Sequence, residues 1–331
     1  MTLGVAVVGL GVGLAHARAF AADSRCSLRW LIDLDPDRAR CAANELGSPG
    51  VAPSFQAALA DPEVDVVSIA SYDECHFEQA LAALEAGKHV FCEKPLCGAR
   101  AEARALDLAI QRSGRLLQSN LVLRAAPLWR WLRESIRAGQ LGRIYAIDGD
   151  YLYGRLEKIT EGWRKDTPGY SVILGGGVHL VDLMMWLTGE RPEHVTAAGS
   201  RLCTEGTAFR FHDFVAATFQ FASGMVGRVT ANFGCVHPHQ HVLRVFGTLQ
   251  TFLYDDRGPR MFPSRDPDRA PMPIDLSAQP ASKGALVAGF VDAIVAGHDR
   301  VLLARRELDL IHACLAADEA LGGATTRIEY R

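Results

Sequence analysis

The sequence predicts an α/β chain of two domains: a parallel sheet built from βαβ units, followed by an α/β domain whose sheet is mainly antiparallel. Three observations carry this expectation. The chain has 331 residues, more than the ~100 to 200 that one domain usually holds. From Gly4 to about Ser119, short β-rich runs alternate with helical stretches rich in Ala, Leu and Glu, the pattern of a parallel sheet with crossover helices. Beyond Leu128 the texture changes to longer strand-like segments with little helix between them, which favours antiparallel pairing. The boundary is placed near residue 121, giving domains 1–121 and 122–331.

The strands of the first domain are expected in GVAVVGL, LRWLID, VDVVSIAS, KHVFCE and RLLQSN. In the third connection Phe77, Leu81 and Leu84 fall on one helix face at i, i+4 and i+7, and Gly87 ends the helix. A helix over Leu128–Ala138 opens the second domain. Strands are then expected in IYAIDGDYLYG, HVTAAGSRL, DFVAATFQF, MVGRVTANFG and HVLRVFGTLQTFLY, with one helix, Val178–Leu187, after the glycine run 175–177. Residues 257–283 hold six of the fifteen prolines and read as an irregular loop. Two helices, Gly284–Ala296 and Arg305–Leu321, close the chain.

Hydrophobic residues make up 49% and charged residues 22%, so the chain can bury a globular core. The net charge is −3 with no long basic run, which leaves no footprint for nucleic acid or an anionic membrane. No apolar stretch reaches the ~18 residues a membrane span needs, and the nearest, LVDLMMWL, contains Asp182. The N-terminus lacks the charged and apolar regions of a secretory signal, so a cytoplasmic location is expected. Eight cysteines without a CxxC pair indicate neither a disulfide framework nor a zinc ribbon.

The first strand runs into Gly9, Gly11, Val12 and Gly13. Missing side chains there permit a tight turn and close approach of backbone N–H groups to a pyrophosphate at a helix start. The third glycine of GxGxxG would fall at Leu14, and here it comes one residue early; an ordinary strand-to-helix turn would use such glycines too. The second strand ends in Asp33, where a carboxylate accepts ribose hydroxyls and repels a 2′-phosphate. A Rossmann domain holding NAD rather than NADP follows, with Arg38 the residue that would soften the preference. As an alternative, Asp33 serves only as a turn acid ahead of Pro36.

Several segments together resemble one family, the Gfo/Idh/MocA oxidoreductases: VVGLGVGLAHARAF, DVVSIASYDECHFEQALAALEAGKHVFCEKPL, GQLGRI, GGGVHLVDLMMWLTG and GTLQTFLY. The resemblance covers almost the whole chain. It implies a Rossmann domain followed by an α/β domain with an open sheet that often makes oligomer contacts, here a dimer or tetramer.

It also implies roles for named residues. Lys94, flanked by Glu93 and Pro95, would reach both the nicotinamide ribose and the substrate, and its ammonium can stabilise a developing alkoxide. Ser71 and His76 would lie near the cofactor, while Tyr72 stands where the family has Pro. His179 would be the general acid/base, with Asp182 one turn later; the family's Asp four residues before the histidine is replaced here by Gly175. Arg124, Tyr151, Tyr153, Lys158, Trp163 and Arg164 come from segments that approach the substrate, and their positive and aromatic groups suit a sugar bearing a carboxylate or phosphate.

His237, His239 and His241 stand at i, i+2 and i+4, on one face if the segment is a strand. Pro238 disturbs that strand and no carboxylate or Cys completes the set, so no metal is expected and a place beside the substrate or an oligomer contact is preferred. The sequence therefore reads as an NAD-dependent oxidoreductase acting on CH–OH carbons of a sugar, cyclitol or nucleotide sugar. Two alternatives accompany it: an NADPH-dependent ketosugar reductase of deoxysugar or polysaccharide biosynthesis, and a non-catalytic dinucleotide-binding sensor.

Overall fold

In the computed structural model, which describes residues 2–330, the chain forms two compact units. The first contains residues up to Ala125 together with Pro280–Ile311; the second contains Ala126–Gln279 and His312 onward. The expected cut near 121 lies close to the first of these boundaries. Residues 280–311, expected in the second domain, pack with the first.

The first unit begins with β1 (Leu3–Val8), α1 (Gly13–Ala22), β2 (Cys26–Ile32), α2 (Pro36–Glu45), β3 (Gly50–Val51) and α3 (Phe55–Ala60). It continues with β4 (Val66–Ile69), α4 (His76–Glu85), β5 (His89–Cys92), α5 (Arg100–Ser113) and β6 (Leu117–Ser119). All pairings are parallel, in the order β3-β2-β1-β4-β5-β6. That order reverses between β1 and β4, the crevice where doubly wound folds bind dinucleotides. The two-residue β3 was not anticipated; a strand that short leaves no periodicity to read. In α4 the buried face is His76, Ala80, Ala83 and Leu84, with Phe77 and Leu81 only half-buried, so the apolar stripe is rotated from the expected one.

The second unit opens with α6 (Pro127–Arg137), β7 (Ile144–Leu152), the short α7 (Glu157–Thr160) and α8 (Val178–Thr188). Strands β8 (Pro192–Ser200), β9 (Phe214–Phe221), β10 (Val226–Asn232), β11 (Gln240–Gly247), β12 (Thr251–Asp255), β13 (Gly258–Phe262) and β14 (Met272–Pro273) follow. With β15 (Thr326–Arg327) they form one sheet, β14-β13-β12-β11-β7-β10-β9-β8-β15. Its pairings are antiparallel except the central β7–β10, which is parallel. The proline-rich stretch is thus not wholly irregular: β13 runs through Pro259, near the sheet edge where a strand tolerates a missing N–H.

Helix α8 lies on the sheet where side chains are absent. A Cβ on Gly149 of β7 would sit 3.2 Å from Leu180, and one on Gly227 of β10 would strike Met184. Glycine inside a strand marks such close approach.

After β14 come α9 (Val287–Val295) and α10 (Arg300–Glu319). Val287, Phe290, Val291 and Ile294 of α9 join the first unit's core beside Phe20 and Phe91, with the Phe91 and Phe290 rings 5.3 Å apart. Fully burying four such side chains is worth about 1.5–3 kcal/mol each, which explains why the chain returns to complete this core. Helix α10 starts in the first unit, and its residues from 312 onward belong to the second.

Candidate active site

The glycine turn sits at the reversal of strand order. Gly9 has φ +81°, and a Cβ there would lie 2.6 Å from the Ala70 carbonyl carbon and 2.7 Å from the Ser71 nitrogen at the end of β4. Only glycine fits. Gly13, the first residue of α1, would place a Cβ 3.1 Å from Ala70 Cβ and 3.3 Å from Val7. It therefore supplies the close helix–strand packing expected of a third glycine, although it comes one residue early. Gly11 has open space where a side chain would be, and Val12 is exposed. The turn is consequently a cradle whose outer face a pyrophosphate fits.

Asp33, just past β2, accepts the Leu10 N–H at 2.6 Å with Oδ2 and the Asp35 N–H at 2.9 Å with Oδ1. Arg38 Nη1 lies 3.4 Å from the same Oδ1, so the guanidinium is drawn to the carboxylate. Next in the sheet, Ser71 Oγ donates to Gln79 Oε1 at 2.7 Å and Tyr72 is exposed. The His76 ring is buried, with Nδ1 2.7 Å from Pro95 O and Nε2 3.3 Å from Ser71 O. A neutral ring donates to one of these carbonyls at a time. His76 thus ties the loop after β4 to the segment after β5.

Glu93 and Lys94 follow β5, whose end is joined to β4 by the Glu93 N–H donating to Ile69 O. Around Glu93 lies a polar group that the sequence reading missed. His16 Nε2 is 3.2 Å from Glu93 Oε1, and its Nδ1 is 3.0 Å from Ser68 Oγ. Asn120 Nδ2 donates to Glu93 Oε1 at 2.7 Å and to Lys283 O at 2.8 Å. Burial pushes the Glu93 carboxyl up, but His16, Asn120 and Lys94 outweigh it and bring it down to about 2. The signals were available: His16 occupies the buried face of α1 with Gly13, Ala17 and Phe20, and Asn120 directly follows a parallel strand.

Arg124 Nη1 donates to Glu307 Oε1 at 2.7 Å, and both side chains are largely buried.

In the second unit, aromatic and imidazole rings converge where β7, β11 and the start of α8 meet. Tyr151 stacks on Tyr153 at 5.9 Å and on His179 at 6.3 Å. The His241 ring is 5.2 Å from Tyr151 and 5.5 Å from His179, and His239 is 4.9 Å from His241. Phe233 lies 4.4 Å from Tyr153 and 5.6 Å from Tyr151. Burial pushes the Tyr151 phenol well above its ordinary value, so it stays protonated. His179 is half-buried, whereas Asp182 is 2% exposed and its charge acts on Cys314 of α10.

A π-helical turn, Ile173–Gly177, feeds α8. A Cβ on Gly176 would lie 2.7 Å from Tyr151 Cδ1 and 2.8 Å from Phe233 Cε2. The glycine run therefore brings His179 against this ring cluster. Trp163 and Arg164 sit in one short turn, the guanidinium 4.4 Å above the indole, while Lys158 is exposed.

The three histidines do not converge. His237 turns to Asp256 at 3.3 Å, while His239 and His241 face Tyr151. Among the described residues no group of three or more His, Cys, Asp or Glu is arranged to hold a metal ion, and no helix is long and apolar enough to cross a membrane.

Comparison with known proteins agrees with this fold. Residues 3–121 match the model of an oxidoreductase family with an NAD-binding Rossmann fold, and residues 129–253 match that of the GFO/IDH/MocA C-terminal domain. The 1,5-anhydro-D-fructose reductase of Ensifer adhaerens is 32% identical over 60% of this chain and 59% of its own. Inositol 2-dehydrogenase 2 of Saccharopolyspora erythraea is 34% identical over 60% of this chain and 56% of its own. The matched segments thus span less than two thirds of either relative. A levoglucosan dehydrogenase solved with NADH and levoglucosan superposes with TM-score 0.87 over 100% of both chains at 23% identity, a likeness of fold.

Proposed function

Because the chain belongs to the Gfo/Idh/MocA oxidoreductase family, we propose that it is an NAD-dependent oxidoreductase acting on the CH–OH or C=O carbon of a sugar, cyclitol or nucleotide sugar. The observation that carries this reading is the turn from Gly9 to Gly13, tied to Asp33 and open on its outer face at the reversal of strand order. Gly9, Gly11, Val12 and Gly13 would hold the pyrophosphate, and Asp33 the ribose hydroxyls. NAD supplies the hydride acceptor. The names of the relatives, an anhydrosugar reductase and an inositol dehydrogenase, support the substrate class.

Lys94 holds the reacting oxygen and polarises it, with Glu93 held in place by His16 and Asn120. His179 takes the hydroxyl proton as the carbonyl forms, or returns it in reduction. The rings of Tyr151, Tyr153, His239 and His241 around His179 suit a polyhydroxylated ring, which presents both apolar faces and hydroxyl edges. A cytoplasmic homo-oligomer belongs to the same proposal.

The test is the thermal midpoint with NAD, NADH, NADP and NADPH, each alone and then with free sugars, cyclitols and nucleotide sugars, since ligands that bind the native state raise it. NAD or NADH stabilises, and one sugar class adds to the effect and reduces NAD in an absorbance assay. If no nicotinamide dinucleotide moves the midpoint, the proposal fails.

A further inference from the structure

Just past β7 the chain turns at Gly154, which has φ +59° and where a Cβ would run into the His237 carbonyl oxygen, so a side chain is excluded there. On the other side of the turn the Lys158 N–H donates to Arg155 O at 3.1 Å, at the entry to α7. Between these two constraints Arg155 lies back over Tyr153, its guanidinium carbon 4.5 Å from the ring centroid. That ring belongs to the cluster around His179: Tyr153 is 5.9 Å from Tyr151 and 5.8 Å from His239, and Tyr151 is 6.3 Å from His179. The positive charges of Arg155 and Arg164 both act on the Tyr151 phenol. Arg155 is exposed, and among the described residues its side chain makes no hydrogen bond or ion pair, although the acid Glu157 is two positions on. Other exposed arginines, Arg18, Arg40 and Arg112 among them, do pair with a carboxylate.

We propose that Arg155 is a specificity-determining residue, and that the substrate is a sugar bearing an oxyanion, a carboxylate or a phosphate, which Arg155 binds while the reacting carbon lies at His179. The proposal rests on the oxidoreductase reading for the reaction at His179, not for the binding of the anion. A guanidinium laid on an aromatic face keeps its N–H donors on its rim, where two of them match the two oxygens of a carboxylate or phosphate. Tyr153 restricts how that rim is directed before any ligand arrives, so less conformational freedom is lost for each hydrogen bond formed. The rings of Tyr153 and Tyr151 separate the guanidinium from His179. The acid group therefore sits at the far end of the substrate from the reacting carbon, as a terminal carboxylate or a phosphate ester does. A neutral sugar leaves the Arg155 donors to water, and the difference between the two ligands is the source of specificity.

The test compares matched ligands in the NAD-reduction assay: glucose against glucuronate, glucose 6-phosphate and UDP-glucose, which separates a carboxylate from a phosphate monoester and from a diphosphate, and inositol against inositol 1-phosphate. The wild-type protein favours the anionic member of at least one pair by about 10- to 150-fold in kcat/KM, the range for hydrogen bonds to a charged group. Arg155→Ala brings that ratio close to one by raising KM for the anionic member, with kcat on it little changed. Arg155→Lys keeps the charge without the planar fork and recovers only part of the preference. Calorimetric titration of the same ligands into the NADH-loaded protein shows the same loss without any turnover. Preference for the neutral member in every pair, or an anionic preference that survives in Arg155→Ala, overturns the proposal. If no nicotinamide dinucleotide binds, the oxidoreductase reading fails by itself, and titration of the same ligands into the cofactor-free protein still decides the role of Arg155. There, absence of binding by every anionic member, or equal binding by wild type and Arg155→Ala, overturns it.

Discussion

Asp33 accepts the backbone N–H of Leu10 at 2.6 Å, so the acid at the end of the second strand also braces the glycine turn at the end of the first. The carboxylate that braces the turn is also the one proposed for the ribose, so its replacement tests both roles. Asp33→Ala should weaken NADH binding by about 10- to 150-fold, the range for losing hydrogen bonds to a charged group. NADPH should lose less, because Arg38, 3.4 Å from Asp33, is then released toward a 2′-phosphate. Fluorescence titration of both cofactors checks this, and an unaltered NADH affinity would remove Asp33 from the ribose site.

Lys94→Ala separates binding from chemistry. Its ammonium is assigned to the reacting oxygen, so turnover should drop by about 10²- to 10³-fold, as for other groups that stabilise a developing oxyanion. The NAD-induced rise in thermal midpoint should persist. Intact turnover in this variant would contradict the assigned role.

Glu93 makes stability depend on acid pH. Its carboxyl ordinarily titrates near 4.5 and is held at about 2 in the folded chain, as His16, Asn120 and Lys94 overcome its burial. A depressed carboxylate contributes stability that is complete above pH 4.5 and is lost as pH falls toward 2. Glu93→Gln removes one partner of a buried pair and should cost about 3–5 kcal/mol at pH 7. Urea unfolding at pH 7, 5 and 3 should show the gap between wild type and variant narrowing only below 4.5; a constant gap would contradict the linkage.

Asp318 on α10 has the opposite sign. Burial raises its carboxyl to about 6, against a hydrogen bond to Ser171 that lowers it and with Glu319 adding to the rise. Such a group favours the folded state fully below its unfolded value of 3.8 and loses that contribution as pH rises through 6. Asp318→Asn should therefore stabilise the protein on the order of 1–2 kcal/mol at pH 7 and give no gain at pH 3.5. Thermal scans at the two pH values decide it; equal gains at both would refute the burial account.

The parallel sheet was legible because its strands are short apolar runs between helical stretches, and the glycine turn with Asp33 was legible because its spacing is local. What stayed hidden depends on partners far away in sequence. Nothing around Val287 and Phe290 reveals which unit their apolar face completes; only Phe20 and Phe91 do. His16 reads as a core histidine until Glu93, 77 positions on, lies beside it. Glu307, which accepts from Arg124, comes from 183 positions away. Gly175 read as a lost acid, although the side chain that fills its place comes from only five residues earlier, bent back by the turn between them. Proline content suggested an irregular stretch over β13, because composition does not distinguish an edge from a loop.

The parallel pairing of β7 with β10 also governs how the second unit is made. Asp148 of β7 meets Arg228 of β10 across 80 positions, and Asp150 meets Arg244 of β11, its other neighbour, across 94. No hairpin can close either edge, so during synthesis at about 5–20 residues per second β7 waits roughly 4–16 s with both edges open. The strand at the centre of the finished sheet thus spends that interval in the nascent chain with neither edge paired.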